Sequence, residues 1–125
     1  MTGATGTIGQ ATVRALSQRG HAVVCLVRGS HSKGLNVASK GDEVLGEMSA
    51  LSGVEIRVGN PLDPVSLRRD GLRDERFDAW VSCLASRTGD PVDAWAVDHA
   101  AHAAALPACR EAGVGHVVLL SAICV

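Results

Sequence analysis

The chain has 125 residues, 46% of them hydrophobic, and a formal net charge of −1. That length holds one domain, the near-neutral charge leaves no basic footprint for DNA or RNA, and no apolar run is long enough for a membrane-spanning helix. Four cysteines, Cys25, Cys83, Cys109 and Cys124, sit in apolar segments without a CxxC pair, which suits buried free thiols better than a disulfide frame or a zinc site.

Three glycines at a spacing of three open the chain in Thr2-Gly3-Ala4-Thr5-Gly6-Thr7-Ile8-Gly9. Gly3 suits a tight turn with positive φ, Gly6 leaves the backbone open to a diphosphate, and Gly9 lets the following helix pack closely on the sheet. The amides of Thr5, Gly6, Thr7 and Ile8 would then meet the anion at the positive end of a helix. An ordinary glycine turn is the alternative, and context has to decide. Downstream, Ile8, Ala11, Val13, Ala15 and Leu16 recur at helical spacing from Thr7 to Arg19, with Gly20 as the C-terminal cap. Upstream, where a first strand belongs, there is only Met1, so the reading expects a chain clipped at its start.

His21 to Val27 reads as a parallel strand buried on both faces. Arg28 ends it, 19 residues beyond Gly9, where an NAD-specific fold carries an acid for the ribose hydroxyl. A guanidinium there points to a 2′-phosphate, hence NADP, with Lys33 and Ser30 as further donors. A solvated strand-end arginine is the alternative. Gly29 to Lys40 reads as a loop, and Asp42 to Leu51 as a helix with Val44, Leu45, Met48 and Leu51 on one face.

Val54 to Val58 alternates as a strand, followed by a turn in which Asp63 is the N-cap and Pro64 the first helical residue. Asn60 in that turn is a candidate adenine contact or a turn residue. The mixed charges from Arg68 to Arg76 read as a solvated helix face. Asp78 to Leu84 is the next strand, with Ala85, Ser86 and Arg87 small or polar at its carboxyl end, where a cofactor has room. Asp90 and Pro91 start a long helix, about Val92 to Ala112, which Pro107 is expected to kink through a clash with the Ala103 carbonyl. His99 and His102 read as partly exposed helix residues, and His116 to Leu120 as the last strand, ending at Ser121.

This alternation predicts an α/β doubly wound parallel sheet, a Rossmann NAD(P)-binding fold, over residues 1–125. With the first strand absent, the expected order leaves a slot between His21–Val27 and Asp78–Leu84, bare backbone on both lips, and marginal stability.

The stretches Val81-Ser82-Cys83-Leu84-Ala85-Ser86-Arg87 and Val118-Leu119-Leu120-Ser121-Ala122-Ile123-Cys124-Val125 resemble the divinyl chlorophyllide a 8-vinyl-reductases, atypical NmrA-like members of the short-chain dehydrogenase/reductase superfamily. The glycine loop, Arg28 and Asp93-Ala94-Trp95 with Val97-Asp98 carry the likeness across the whole chain. The resemblance implies NADPH-dependent reduction of the 8-vinyl group of a divinyl chlorophyllide or protochlorophyllide to ethyl. It implies a tetrapyrrole substrate, and residence in the cytoplasm of a photosynthetic bacterium or in the plastid stroma. It also implies a substrate lobe beyond Val125, so the chain alone is expected to be inactive. The chain has no tyrosine, so the superfamily's Tyr-xxx-Lys relay has no place on it. Ser121 stands where that superfamily keeps a catalytic serine, with a structural strand-end serine as the alternative. A non-catalytic NmrA-like dinucleotide sensor and a gene remnant remain open beside the reductase.

Overall fold

The computed structural model describes residues 1–29 and 40–121. Ser30, Lys33 and Cys124 therefore lie outside the described residues. The first helix, α1 (Thr7–Gln18), starts at Gly6 with extended φ −72° and no side-chain cap. It ends at Arg19, followed by Gly20 at φ +80°. Gly9 and Val13 form its buried face, whereas Ile8 and Ala11, expected inside from their spacing, face outward.

After α1 the chain alternates β1 (Val23–Val27), α2 (Lys40–Ser49), β2 (Val54–Val58), α3 (Pro64–Ser66), β3 (Ala79–Ser82), α4 (Pro91–Ala94), α5 (Ala101–Glu111) and β4 (His116–Leu119). A π-type segment, Leu67–Leu72, continues α3, and another, Trp95–Ala100, joins α4 to α5. Asp63 caps α3 by accepting the Val65 amide, and Asp90 caps α4 by accepting those of Val92 and Asp93, each with proline next. The expected long helix thus departs from α geometry at Trp95–Ala100, while Pro107 sits inside α5. Among the described residues no helix is long and apolar enough to cross a membrane.

β1 pairs in parallel with β2, and β3 in parallel with β4. Thr2 stands between the two pairs, bridging Leu26 on one side and Ser82 on the other. The order across the sheet is therefore β2, β1, Thr2, β3, β4. Met1 and Thr2 thus fill part of the expected slot, while among the described residues the two strand pairs share no ladder beyond these bridges. The Thr2 amide donates to the Val81 carbonyl at 3.0 Å, the Thr2 carbonyl accepts from Cys83 at 2.9 Å, and the Met1 carbonyl accepts from Leu26 at 3.0 Å. The Met1 ammonium donates to the Val24 carbonyl, and burial pushes its pKa below the usual value. Beneath Met1 and Thr2 lies a small cleft of ≈ 30 Å³ lined by Val24, Leu26, Trp80 and Cys109 among others.

Alternation along β1 sends Val23, Cys25 and Val27 to one face, against Val13 and Met48, while Leu26 faces Leu67, Ala105, Ala108 and Cys109 on the other. Helices on both faces make the sheet doubly wound. The charged run after α3 is a solvated face, with Arg68, Arg69, Arg73, Asp74, Glu75 and Arg76 exposed, and Glu75 from it also reaches a buried guanidinium on β2. Arg57 on β2, only 3% exposed, donates to Glu55 at 2.7 Å, to Glu75 at 2.9 Å and to the Gly71 carbonyl at 2.6 Å. Arg68 pairs with Glu111, and Arg69 with Asp70. A guanidinium forced into a parallel sheet recruits carboxylates that the sequence pattern assigns to water.

Candidate dinucleotide site

In a parallel sheet the loops that follow the strands gather at the carboxyl edge. Residues Gly3–Gly9, Arg28, Asn60, Ala85–Arg87 and Ser121 all follow strands or the Thr2 bridge, so the topology brings them to that edge.

Gly3 takes φ +73°, and a Cβ on it would lie 2.4 Å from the Cys83 carbonyl carbon and 2.6 Å from the Leu84 nitrogen. The loop therefore rests directly on the end of β3. A Cβ on Gly9 would lie 2.0 Å from the Gly3 oxygen. The close approach that needs Gly9 is thus between helix and loop, rather than between helix and sheet as the spacing suggests. Gly6 differs from both. Its φ of −72° suits any residue, and a Cβ there would meet nothing nearer than the Gly3 oxygen at 3.6 Å. The fold itself does not require glycine at this position, and the space beside it is open.

Thr5, Gly6, Thr7 and Ile8 are exposed. The first helical hydrogen bond runs from the Gln10 amide to the Gly6 carbonyl at 2.9 Å. Among the described residues nothing accepts from the amides of Thr7, Ile8 and Gly9. Unpaired donors at the positive end of a twelve-residue helix, beside an open cradle that a Cβ would fill, fit a diphosphate.

The loop after β3 is tied to the helix that follows it. The Ser86 amide donates to Asp98 Oδ1 at 2.9 Å, and the Ser86 and Thr88 hydroxyls donate to Asp93 Oδ2 at 2.5 and 2.9 Å. These hydroxyls hold the Asp93 carboxyl below the usual carboxylate range. The Ser86 hydroxyl is therefore engaged within the protein, while Ala85 and Arg87 are exposed. Arg28 is exposed at the end of β1 and has no ion pair among the described residues. The Asn60 carboxamide oxygen accepts the Leu62 amide at 3.1 Å, the turn role weighed from sequence. Ser121 is exposed just beyond β4.

Sequence reasoning did not find the buried polar cluster under the loop. The Thr2 hydroxyl meets Ser82 Oγ at 2.9 Å, Ser82 Oγ meets His102 Nε2 at 2.8 Å, and Trp80 Nε1 donates to Thr2 Oγ1 at 3.3 Å. Its only sequence trace is the spacing of four from Asp98 to His102, which puts both on one helix face.

A family model described as NAD(P)H-binding matches residues 3–125. The rice (Oryza sativa subsp. indica) protein named divinyl chlorophyllide a 8-vinyl-reductase, chloroplastic, is 41% identical over all of this chain and 30% of its own length. The Zea mays protein of the same name is 38% identical, with the same coverage. The solved structure of an isoflavone reductase superposes with a TM-score of 0.61 at 23% identity, covering 93% of this chain and 33% of the other, which speaks for the fold alone. The chain spans about 30% of the length of the curated relatives it matches.

Proposed function

Because the chain belongs to the NAD(P)H-binding family, we propose that it is the cofactor-holding part of an NADPH-dependent reductase for the 8-vinyl group of a divinyl chlorophyllide or protochlorophyllide. The observation that carries the reading is the open cradle at Gly6 beside unpaired helix amides, a place the fold leaves vacant of side chains. The kinship with plant proteins of that name, at 41% and 38% identity, supports the substrate class.

In this reading the free amides of Thr5, Thr7, Ile8 and Gly9 hold the diphosphate and Arg28 takes the 2′-phosphate. Asn60 borders the adenine while keeping its turn. Ala85, Ser86 and Arg87 form the wall toward the nicotinamide, and the ties from Ser86 to Asp93 and Asp98 hold that wall in place. Bound there, NADPH would supply a hydride to the conjugated vinyl group and leave as NADP⁺, with a proton from a side chain or water completing the ethyl group. Ser121 is a candidate hydroxyl near the reacting end. The protein's work is to fix orientation and exclude water.

Calorimetric titration with NADPH and NADH of the wild type and Arg28→Ala tests the cofactor choice. One bidentate charge-assisted contact is worth about 1.5–3 kcal/mol, so the variant is expected to lose at least about tenfold in NADPH affinity and to bind NADH as before. An unchanged preference would remove Arg28 from the site. In a chain completed by the substrate lobe that the resemblance implies, dinucleotide binding with no NADPH consumed in the presence of divinyl protochlorophyllide would favour a sensor over a reductase.

A further inference from the structure

The polar cluster beneath the glycine loop has a fixed direction. The Asp98 carbonyl can only accept, and it lies 3.1 Å from His102 Nδ1. In the neutral ring the proton therefore sits on Nδ1 and Nε2 accepts. Ser82 must then donate its hydroxyl proton to His102 Nε2 at 2.8 Å. With its own proton committed, Ser82 Oγ accepts from the Thr2 hydroxyl at 2.9 Å, and Thr2 Oγ1 accepts from Trp80 Nε1 at 3.3 Å. Indole can only donate, so the chain runs one way from Trp80 to the Asp98 carbonyl. Thr2 is 2% exposed and Ser82 is fully buried, which rules out a nucleophile and base pair open to substrate. Among the described residues no buried polar side-chain atom lacks a partner.

The position of this chain gives it a role. Thr2 immediately precedes Gly3, and Ser82 immediately precedes the Cys83–Leu84 peptide on which Gly3 rests. The Thr2 and Ser82 hydroxyls join the two segments from the side, while the Thr2 carbonyl joins them through the Cys83 amide at 2.9 Å. The Gly3 carbonyl in turn accepts the Gly6 amide at 3.3 Å. A change in the spacing of Thr2 and Ser82 is therefore passed to the cradle within one or two peptides. His102 belongs to the same helical rod as Asp98, whose side chain holds the Ser86 amide, so a single helix face secures both walls of the site.

Resting on the dinucleotide reading above, we propose that His102 is a positioning residue for the cofactor site. As the terminal acceptor of the Trp80–Thr2–Ser82 hydrogen-bond chain, it sets the distance between the glycine loop and the end of β3. It touches no cofactor. Losing its acceptor atom leaves the Ser82 proton without its partner and frees the two segments to shift.

Three measurements on the full chain test this. Nitrogen-15 NMR of the imidazole is expected to show the Nδ1–H tautomer in the neutral ring. His102→Leu is expected to move the amide resonances of Gly3, Gly6, Cys83 and Leu84 and to weaken NADPH binding about tenfold, the worth of one buried hydrogen bond. His102→Gln, whose amide oxygen can accept the Ser82 proton, is expected to restore both. An Nε2–H tautomer, or a folded Leu variant with unmoved loop amides and unchanged affinity, overturns the proposal. If the Leu variant does not fold, the wild-type tautomer and the amide shifts of the Gln variant decide. If the wild type binds no NADPH, the cofactor reading fails, while the tautomer and loop amides still judge the link from His102 to the loop.

Discussion

Gly6 and Gly9 offer a contrast that separates a ligand cradle from a packing constraint. Gly6→Val adds a branched side chain where the nearest atom is 3.6 Å away and the backbone is already extended. A poorer N-cap costs at most about 1 kcal/mol, so the unliganded variant should melt within a few degrees of wild type. Binding is another matter, because the new methyl groups occupy the open side of the loop. Ligand at a hundred times its dissociation constant stabilises a binding-competent fold by about 2.7 kcal/mol. At about 4 °C per kcal/mol, NADPH should raise the wild-type Tm by about 10 °C and leave that of Gly6→Val unmoved. Gly9→Ala should behave in the opposite sense. Replacing a helical glycine by alanine ordinarily stabilises by about 0.5–1 kcal/mol, but here the Cβ would sit 2.0 Å from the Gly3 oxygen. Overpacking of this kind costs about 1–3 kcal/mol or more, so the unliganded Tm itself should fall. Differential scanning fluorimetry with and without NADPH reads both variants. A full NADPH shift in Gly6→Val would reduce the loop to an ordinary turn, and a harmless Gly9→Ala would refute the helix-to-loop contact.

Arg57→Met removes the donor to the buried Gly71 carbonyl and should cost about 1–3 kcal/mol in urea unfolding. The loss should stay below that of a fully buried ion pair, because Glu55 and Glu75 are half exposed and can hydrate; an unchanged midpoint would show that the cluster adds nothing. Acid should destabilise the fold with a definite sign. Glu55 is held below its usual range by Arg57, Asp70 by Arg69 and Ser66, and Asp93 by Ser86 and Thr88. The unfolded chain takes up these protons first, so the stabilisation is present above about pH 4. It is lost as the pH falls through the depressed folded values, and a Tm that stays flat from pH 5 to pH 3 would contradict it. Asp90→Ala deletes the cap on the Val92 and Asp93 amides and should cost about 1 kcal/mol, seen as faster hydrogen exchange at the start of α4; unchanged exchange there would mean the cap is idle.

What could be read from the sequence is what neighbouring residues decide among themselves. The turn at Gly3, the caps at Asp63 and Asp90 with their prolines, and the bounds of β2 all depend on residues a few positions apart. Backbone sterics and one or two local hydrogen bonds settle such features before any tertiary contact forms. The alternation of helix and strand then leaves little choice but a doubly wound parallel sheet, and the glycine loop falls at its carboxyl edge. Tertiary structure decided the rest. It turned Ile8 outward although its spacing fits the buried face, because α1 packs through Val13 onto β1 and Met48 of α2, which leaves the Ile8 side uncovered. It made Gly9 a contact for the loop, and buried Arg57 among carboxylates that read as surface. It also placed Thr2 between β1 and β3, joined to Ser82 across 80 positions of chain and through Ser82 to His102. No local period records such a partner, since its energy comes from groups that meet only once the sheet has closed and water has left.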